Sequence, residues 1–129
     1  MEKIHYWQKT AEHDYETMQV LYNNKRYSDA LFFGHIILEK ILKGHVVKQT
    51  KKQAPYIHDL TRLAEIAQLN LSAKVMDFLD EVNDFNIRAR YPEEKLAFYK
   101  KCTFAYTKDY FNKINKLYKE LCQKLKQEK

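Results

Sequence analysis

Two glycines and two prolines in a chain of 129 residues leave few means of turning tightly. Tight turns and strand connections draw heavily on both residue types, whereas helix interiors exclude them. Their scarcity predicts an all-α protein. The length suits one domain, residues 1–129, with enough surface to bury a core without disulfide or metal staples. The expected architecture is an antiparallel up-and-down bundle of four to five helices.

Apolar periodicity places five helical segments. The first runs from about Lys3 to Asn23, with Ile4, Trp7, Ala11, Met18 and Leu21 on one face and Tyr15 and Tyr22 alongside. The second runs from about Ser28 to Lys48, with Ser28 as the expected N-cap and Asp29 suited to the positive end of the helix dipole. Its circumference is apolar nearly all round, so it belongs in the middle of the bundle or also faces a second subunit. His35, Glu39 and Lys43 form its one polar stripe. A basic linker from Gln49 to Pro55 leads to a short third helix beginning near His58 or Asp59. The fourth starts after an N-cap at Ser72. Asn86 to Lys101, centred on Pro92, reads as irregular. The last helix runs from about Thr103 almost to the end, with Tyr110, Ile114, Leu117, Leu121 and Leu125 on one face.

Several function classes are excluded. No phosphate-cradling glycine loop, HExxH or paired CxxC occurs, and the five histidines lack zinc-ligand spacing. Neither a metal nor a cofactor is expected. Cys102 and Cys122 read as members of one helix, and at ~1.5 Å per residue they would lie roughly 30 Å apart, beyond disulfide reach. Apolar stretches such as Ala30 to Phe33 are too short to span a membrane. Met1-Glu2-Lys3 opens the chain without an apolar leader, so the cytoplasm is the expected location. The formal charge of +6 permits an acidic partner, nucleic acid included.

Arg88-Ala89-Arg90-Tyr91-Pro92 is the leading candidate site. A guanidinium offers phosphate a fork of donors, and a tyrosine ring can stack on a base. The structural alternative pairs Arg90 with an acid such as Asp84 and lets Pro92 open the next segment. His58 is a candidate acid–base or phosphate-contacting group, its alternative being a cap beside Asp59. Glu39 and Lys43 make an ordinary helix-surface pair, of functional interest only if their stripe faces Arg88 to Tyr91. Lys48, Lys51 and Lys52 suit a solvated loop or electrostatic guidance of RNA.

Three fragments together resemble the HEPN family. They are Trp7 followed by Tyr27, Ala30, Phe33 and Leu38-Glu39-Lys40-Ile41-Leu42-Lys43; His58-Asp59-Leu60 after the basic linker; and Arg88-Ala89-Arg90-Tyr91-Pro92. The resemblance covers nearly the whole chain and implies a bundle of four to five helices, usually a homodimer. It also implies pairing with a minimal nucleotidyltransferase, commonly as a toxin–antitoxin module, and nucleotide binding by Arg88, Arg90, Tyr91 and His58. Glu39, Lys43 and Asp84 are possible supporting residues. Some HEPN branches are metal-independent ribonucleases with an Arg followed four to six residues later by a His or, in one branch, a Tyr. This chain departs from that pattern: no His follows Arg88 or Arg90, and positions 94 and 96 are Glu and Leu. It looks closer to the Arg-Tyr-Pro branch. A ribonuclease here would need His58 as base and Arg90 as cation. A dimerising helical adaptor with structural arginines is the third reading. Tyr91 and Tyr99 are the tyrosines that a partner transferase would modify, by analogy alone.

Overall fold

The chain reverses direction after its first helix without a glycine. Lys25 takes the left-handed conformation (φ 63°), and the Arg26 N–H reaches back to the Leu21 carbonyl at 2.8 Å. The next helix therefore begins at Tyr27, one residue before the expected start. Arg26 occupies the N-cap position without a side-chain cap, and Ser28 lies inside the helix instead of capping it.

The computed structural model describes residues 2–127. Its helices are α1 (Glu2–Asn23), α2 (Tyr27–Thr50), α3 (Leu60–Ile66), α4 (Ala73–Arg90), α5 (Pro92–Lys101) and α6 (Phe104–Lys126). There is no strand among the described residues. The all-α bundle is as expected, built on four long helices with α3 and α5 in the connections.

Contacts fix the directions of the long helices. Tyr15 stacks on Tyr118 at 5.0 Å and Tyr22 on Phe111 at 3.7 Å, so α1 runs antiparallel to α6. Along α2, Gly34 meets Ile114 and His45 meets Leu121, so α2 and α6 run the same way. Val75 and Phe78 share a groove with Leu117 and Glu120, while Phe85 meets Tyr110, so α4 returns against α6. The long helices alternate up, down, up, down. Residues from Ala30 to Val47 on almost every side of α2 are buried by helices of the same chain, so its apolar circumference is used inside the bundle.

Asn86 to Lys101 is not irregular. Proline lacks an N–H and holds its predecessor extended, but it fits the first turn of a helix. Only Tyr91 is extended (φ −99°, ψ 128°): α4 continues to Arg90 and α5 starts at Pro92. Glu93 and Glu94 in the first turn of α5 and Lys100 and Lys101 in its last turn suit its dipole, and Phe98 anchors it in the core. This extra helix also separates the cysteines. Cys102 caps α5 and Cys122 lies in α6, so they do not share a helix; both are free thiols. Burial pushes the Cys102 thiol up to about 11. Ser72 caps α4 as expected, accepting from the Val75 N–H, and Thr103 does the same for α6. Among the described residues no helix is long and apolar enough to cross a membrane.

Both glycines lie in α2 where neighbours come close. A Cβ on Gly34 would stand 2.6 Å from Ile114 Cδ1, and one on Gly44 would stand 3.1 Å from Leu125 Cδ2. Three helix ends are left to non-glycine residues in the left-handed region: Lys25, Lys51 (φ 61°) and Gln68 (φ 56°). Gly34→Leu is expected to lower stability by about 2 kcal/mol or more through overpacking against α6. Lys51→Gly is expected to raise it by about 1 kcal/mol by relieving left-handed strain. Urea midpoints of the two variants check both.

Candidate functional site

The C-terminal turn of α4 lies beside the N-terminal half of α2, because the two helices run antiparallel. This brings Arg90 near the polar stripe of α2, and the Arg90 charge acts on the His35 ring. The segment before α3 closes the cluster from a third side.

Glu39 is its centre. Its side chain is 14% exposed, and its carboxylate accepts from Lys43 Nζ at 2.8 Å. His58 Nδ1 lies 3.1 Å from both carboxylate oxygens. Lys43 is only 7% exposed, and its ammonium also sits 5.5 Å from the centre of the Trp7 ring. A lysine so buried needs a counter-charge, and Glu39 supplies it. Glu39 and Lys43 are therefore not a solvated surface pair.

His35 is buried, and its Nε2 lies 2.9 Å from the His58 carbonyl. Burial lowers its pKa; Arg90 and the His58 ring add to that, while Glu39 and the bond to the His58 carbonyl oppose it. A neutral ring donating Nε2–H to that carbonyl turns its Nδ1 lone pair toward Glu39 Oε1, 3.7 Å away, and Nδ1 has no hydrogen-bond partner. The bond fastens the backbone of His58 to α2.

The loop is also fastened to α4. Asp59 is the N-cap of α3 and accepts from the Thr61 and Arg62 N–H groups, so the cap is Asp59 and not His58. Asn83 Nδ2 donates to Asp59 Oδ1 at 2.9 Å, and Asn83 Oδ1 accepts from the Leu60 N–H at 2.8 Å. The His58 side chain is left 56% exposed, with its Nδ1 on Glu39.

The two arginines do not share a ligand position. Residues two apart leave a helix roughly 200° from each other. Arg88 Nε donates to Asp84 Oδ2 at 2.7 Å, and its charge acts on Cys102 and Tyr106. Arg90 points to the other side, where its Nε donates to Asn86 Oδ1 at 2.9 Å. Asp84 thus neutralises Arg88 and not Arg90. Among the described residues no carboxylate lies within ion-pair distance of Arg90. Tyr91 is 56% exposed at the bend that follows. His35, Glu39, Lys43, His58 and Arg90 come together; Arg88 and Asp84 stand apart.

Sequence reasoning missed Asn83 and Asn86. Asn86 sits four residues before Arg90, a spacing that could have marked it as the side chain orienting the guanidinium. Asn83 carried no such signal, since its partners are distant in sequence. Among the described residues no group of three or more His, Cys, Asp or Glu could hold a metal ion.

Glu39→Gln leaves the Lys43 ammonium buried without a counter-charge. It is expected to cost about 3 kcal/mol, and adding Lys43→Met should recover part of that loss, as measured by urea unfolding. His45 is a second buried ring with a lowered pKa, caused first by burial and opposed by its bond to the Leu121 carbonyl. Above the ordinary imidazole value of 6.5, both the folded and the unfolded chain hold His35 and His45 neutral. Below it the unfolded chain takes up protons first, so stability is full above that value and lost as pH falls toward the lowered folded values. The urea midpoint should therefore drop as the buffer is taken below pH 6.5, and His45→Gln should make that drop shallower.

No curated protein and no solved structure matches the chain. A family model does, over almost its whole length. Membership supports a nucleotide- or RNA-related function. With residues 4–128 matched to the HEPN domain, the chain belongs to the HEPN domain family.

Proposed function

We propose that this protein binds a nucleotide or RNA at the Arg90–His58 cluster and works with a minimal nucleotidyltransferase as one half of a toxin–antitoxin type module. The observation that carries the binding site is Arg90: a cation oriented by Asn86, with no carboxylate partner among the described residues, followed by the exposed Tyr91 and close enough for its charge to act on the His35 ring that is bonded to the His58 carbonyl. A guanidinium anchored through Nε keeps its two terminal nitrogens for phosphate. Tyr91 offers a ring for a base. Arg88, committed to Asp84 and neutralised by it, makes no direct contact. The transferase partner and a homodimer complete this reading on the family likeness, and the protein acts in the cytoplasm.

A second reading, a metal-independent endoribonuclease, is favoured by the Glu39–His58 contact. A carboxylate holding Nδ1–H leaves Nε2 as a base. His58 would take the proton of an RNA 2′-hydroxyl, whose oxygen attacks the adjacent phosphorus. The 5′-oxygen would leave, taking a proton from water, and Arg90 would bear the phosphorane charge.

One experiment separates the two. Purified protein and its Arg90→Ala and His58→Ala variants are incubated with cellular RNA in EDTA, and nucleotide affinity is measured in parallel. The proposed reading expects no cleavage and nucleotide binding weakened about tenfold or more by Arg90→Ala. Cleavage that both substitutions abolish would establish the ribonuclease instead. Unchanged binding in Arg90→Ala, with a lower urea midpoint, would overturn both and leave the arginine a structural role in a helical adaptor.

A further inference from the structure

Beyond Tyr91, α5 presents a face that the described chain leaves uncovered. Pro92, Lys95, Leu96 and Tyr99 recur at three- and four-residue spacing, so they share that face. They line a groove of about 660 Å³ whose opposite wall is Lys25, Arg26 and Tyr27 of the α1–α2 turn. Leu96 is 60% and Tyr99 67% exposed. Three cations line the groove against one carboxylate, Asp29, which Arg26 already holds at 3.5 Å. Glu93 and Glu94 are not among its lining residues. Tyr27 continues the aromatic wall by packing 6.0 Å from Phe104, a half-exposed ring over which Lys108 lies at 5.7 Å.

We infer that the groove between the α1–α2 turn and α5 seats the nucleotides flanking the one at Arg90, making the ligand a single-stranded polynucleotide and not a mononucleotide. The inference rests on the proposed reading of Arg90 as phosphate holder. Pro92 follows Tyr91 directly, so a strand leaving Arg90 over Tyr91 enters the groove at its end. Pro92 to Tyr99 spans roughly 10 Å of helix, room for about three bases at ~3.4 Å rise. Cations interleaved with exposed rings suit a strand whose phosphates and bases alternate. An acidic protein segment would use Lys25 and Lys95 but gives no reason for the rings.

The test compares uridine monophosphate with an oligouridylate of about eight nucleotides, a length within the usual range of single-strand sites. Affinities are measured for the native protein, Lys95→Ala/Tyr99→Ala, Lys95→Glu and Arg90→Ala, each checked for native helical content. The oligomer should bind about tenfold or more tighter than the monophosphate. The double variant should remove that gain and leave the monophosphate unchanged, and Lys95→Glu should weaken only the oligomer. The deoxy oligomer of the same sequence, run alongside, identifies the source as RNA or DNA, and dependence on Lys95 and Tyr99 in either case supports the groove. An oligomer bound no tighter than the monophosphate, or indifferent to both groove variants, overturns the inference while leaving the Arg90 reading intact. Oligomer binding that needs Lys95 and Tyr99 but not Arg90 keeps the groove and removes the Arg90 reading. Concentration-dependent dimerisation abolished by Leu96→Glu, without oligomer affinity, would assign the face to a second copy and overturn the proposal.

Discussion

A carboxylate that is nearly buried must be neutralised, and the arrangement around Glu39 follows from that. Its charge permits Lys43 to sit at 7% exposure beneath Trp7, which ties α1 to α2. The same carboxylate holds the His58 ring, so the segment before α3 approaches α2 at a fixed place. Pairing alone would not order that segment. The His35 bond to the His58 carbonyl and the Asn83 bonds to Asp59 and Leu60 supply the remaining constraints. Side chains from three elements converge because each satisfies a polar group that the core would otherwise leave bare. His35 Nδ1 is the exception, facing the carboxylate without a donor between them.

Much of this was legible in the sequence because it depends on local rules. Scarce glycine, apolar periodicity, the cap at Ser72 and a helix start near Thr103 read correctly as helices and their starts. Pro92 was read two ways, as the centre of an irregular stretch and as the opening of the next segment, and only the second holds. The same residue that ends one helix can open the next, and periodicity over the ten residues of α5 is too short to show which. Ser28 misled because the turn closes through backbone bonds from Arg26, which move the helix start ahead of the side chain best suited to cap it.

The candidate site was partly legible. His58, Arg90, Glu39 and Lys43 stood out by residue type and by likeness to a family. Glu39 and Lys43 meet through four-residue spacing, but His58 joins them through the segment before α3 and Arg90 through α2 and α4 running antiparallel, which no local spacing encodes. Arg88 was grouped with Arg90 because they are neighbours in sequence, although the helix turns them to opposite sides. Asp84 pairs with Arg88 because four residues make about one helical turn and bring the two side chains onto one face, whereas the six residues to Arg90 do not.

The link between α2 and α3 is fixed at its two ends and exposed between them, with the Lys51 and Lys52 N–H groups bonded back to Val47 and Thr50. Its last residues are bonded to α2 and α4, whereas Lys51, Lys52 and Gln53 are exposed and Tyr56 is 98% exposed. Residues gained or lost between Lys51 and Tyr56 would be absorbed before they reach His58, since loop closure changes only slowly with length. This stretch is thus where relatives of the chain can vary in length, or acquire a segment that recognises a different partner, while His58 keeps its position on Glu39.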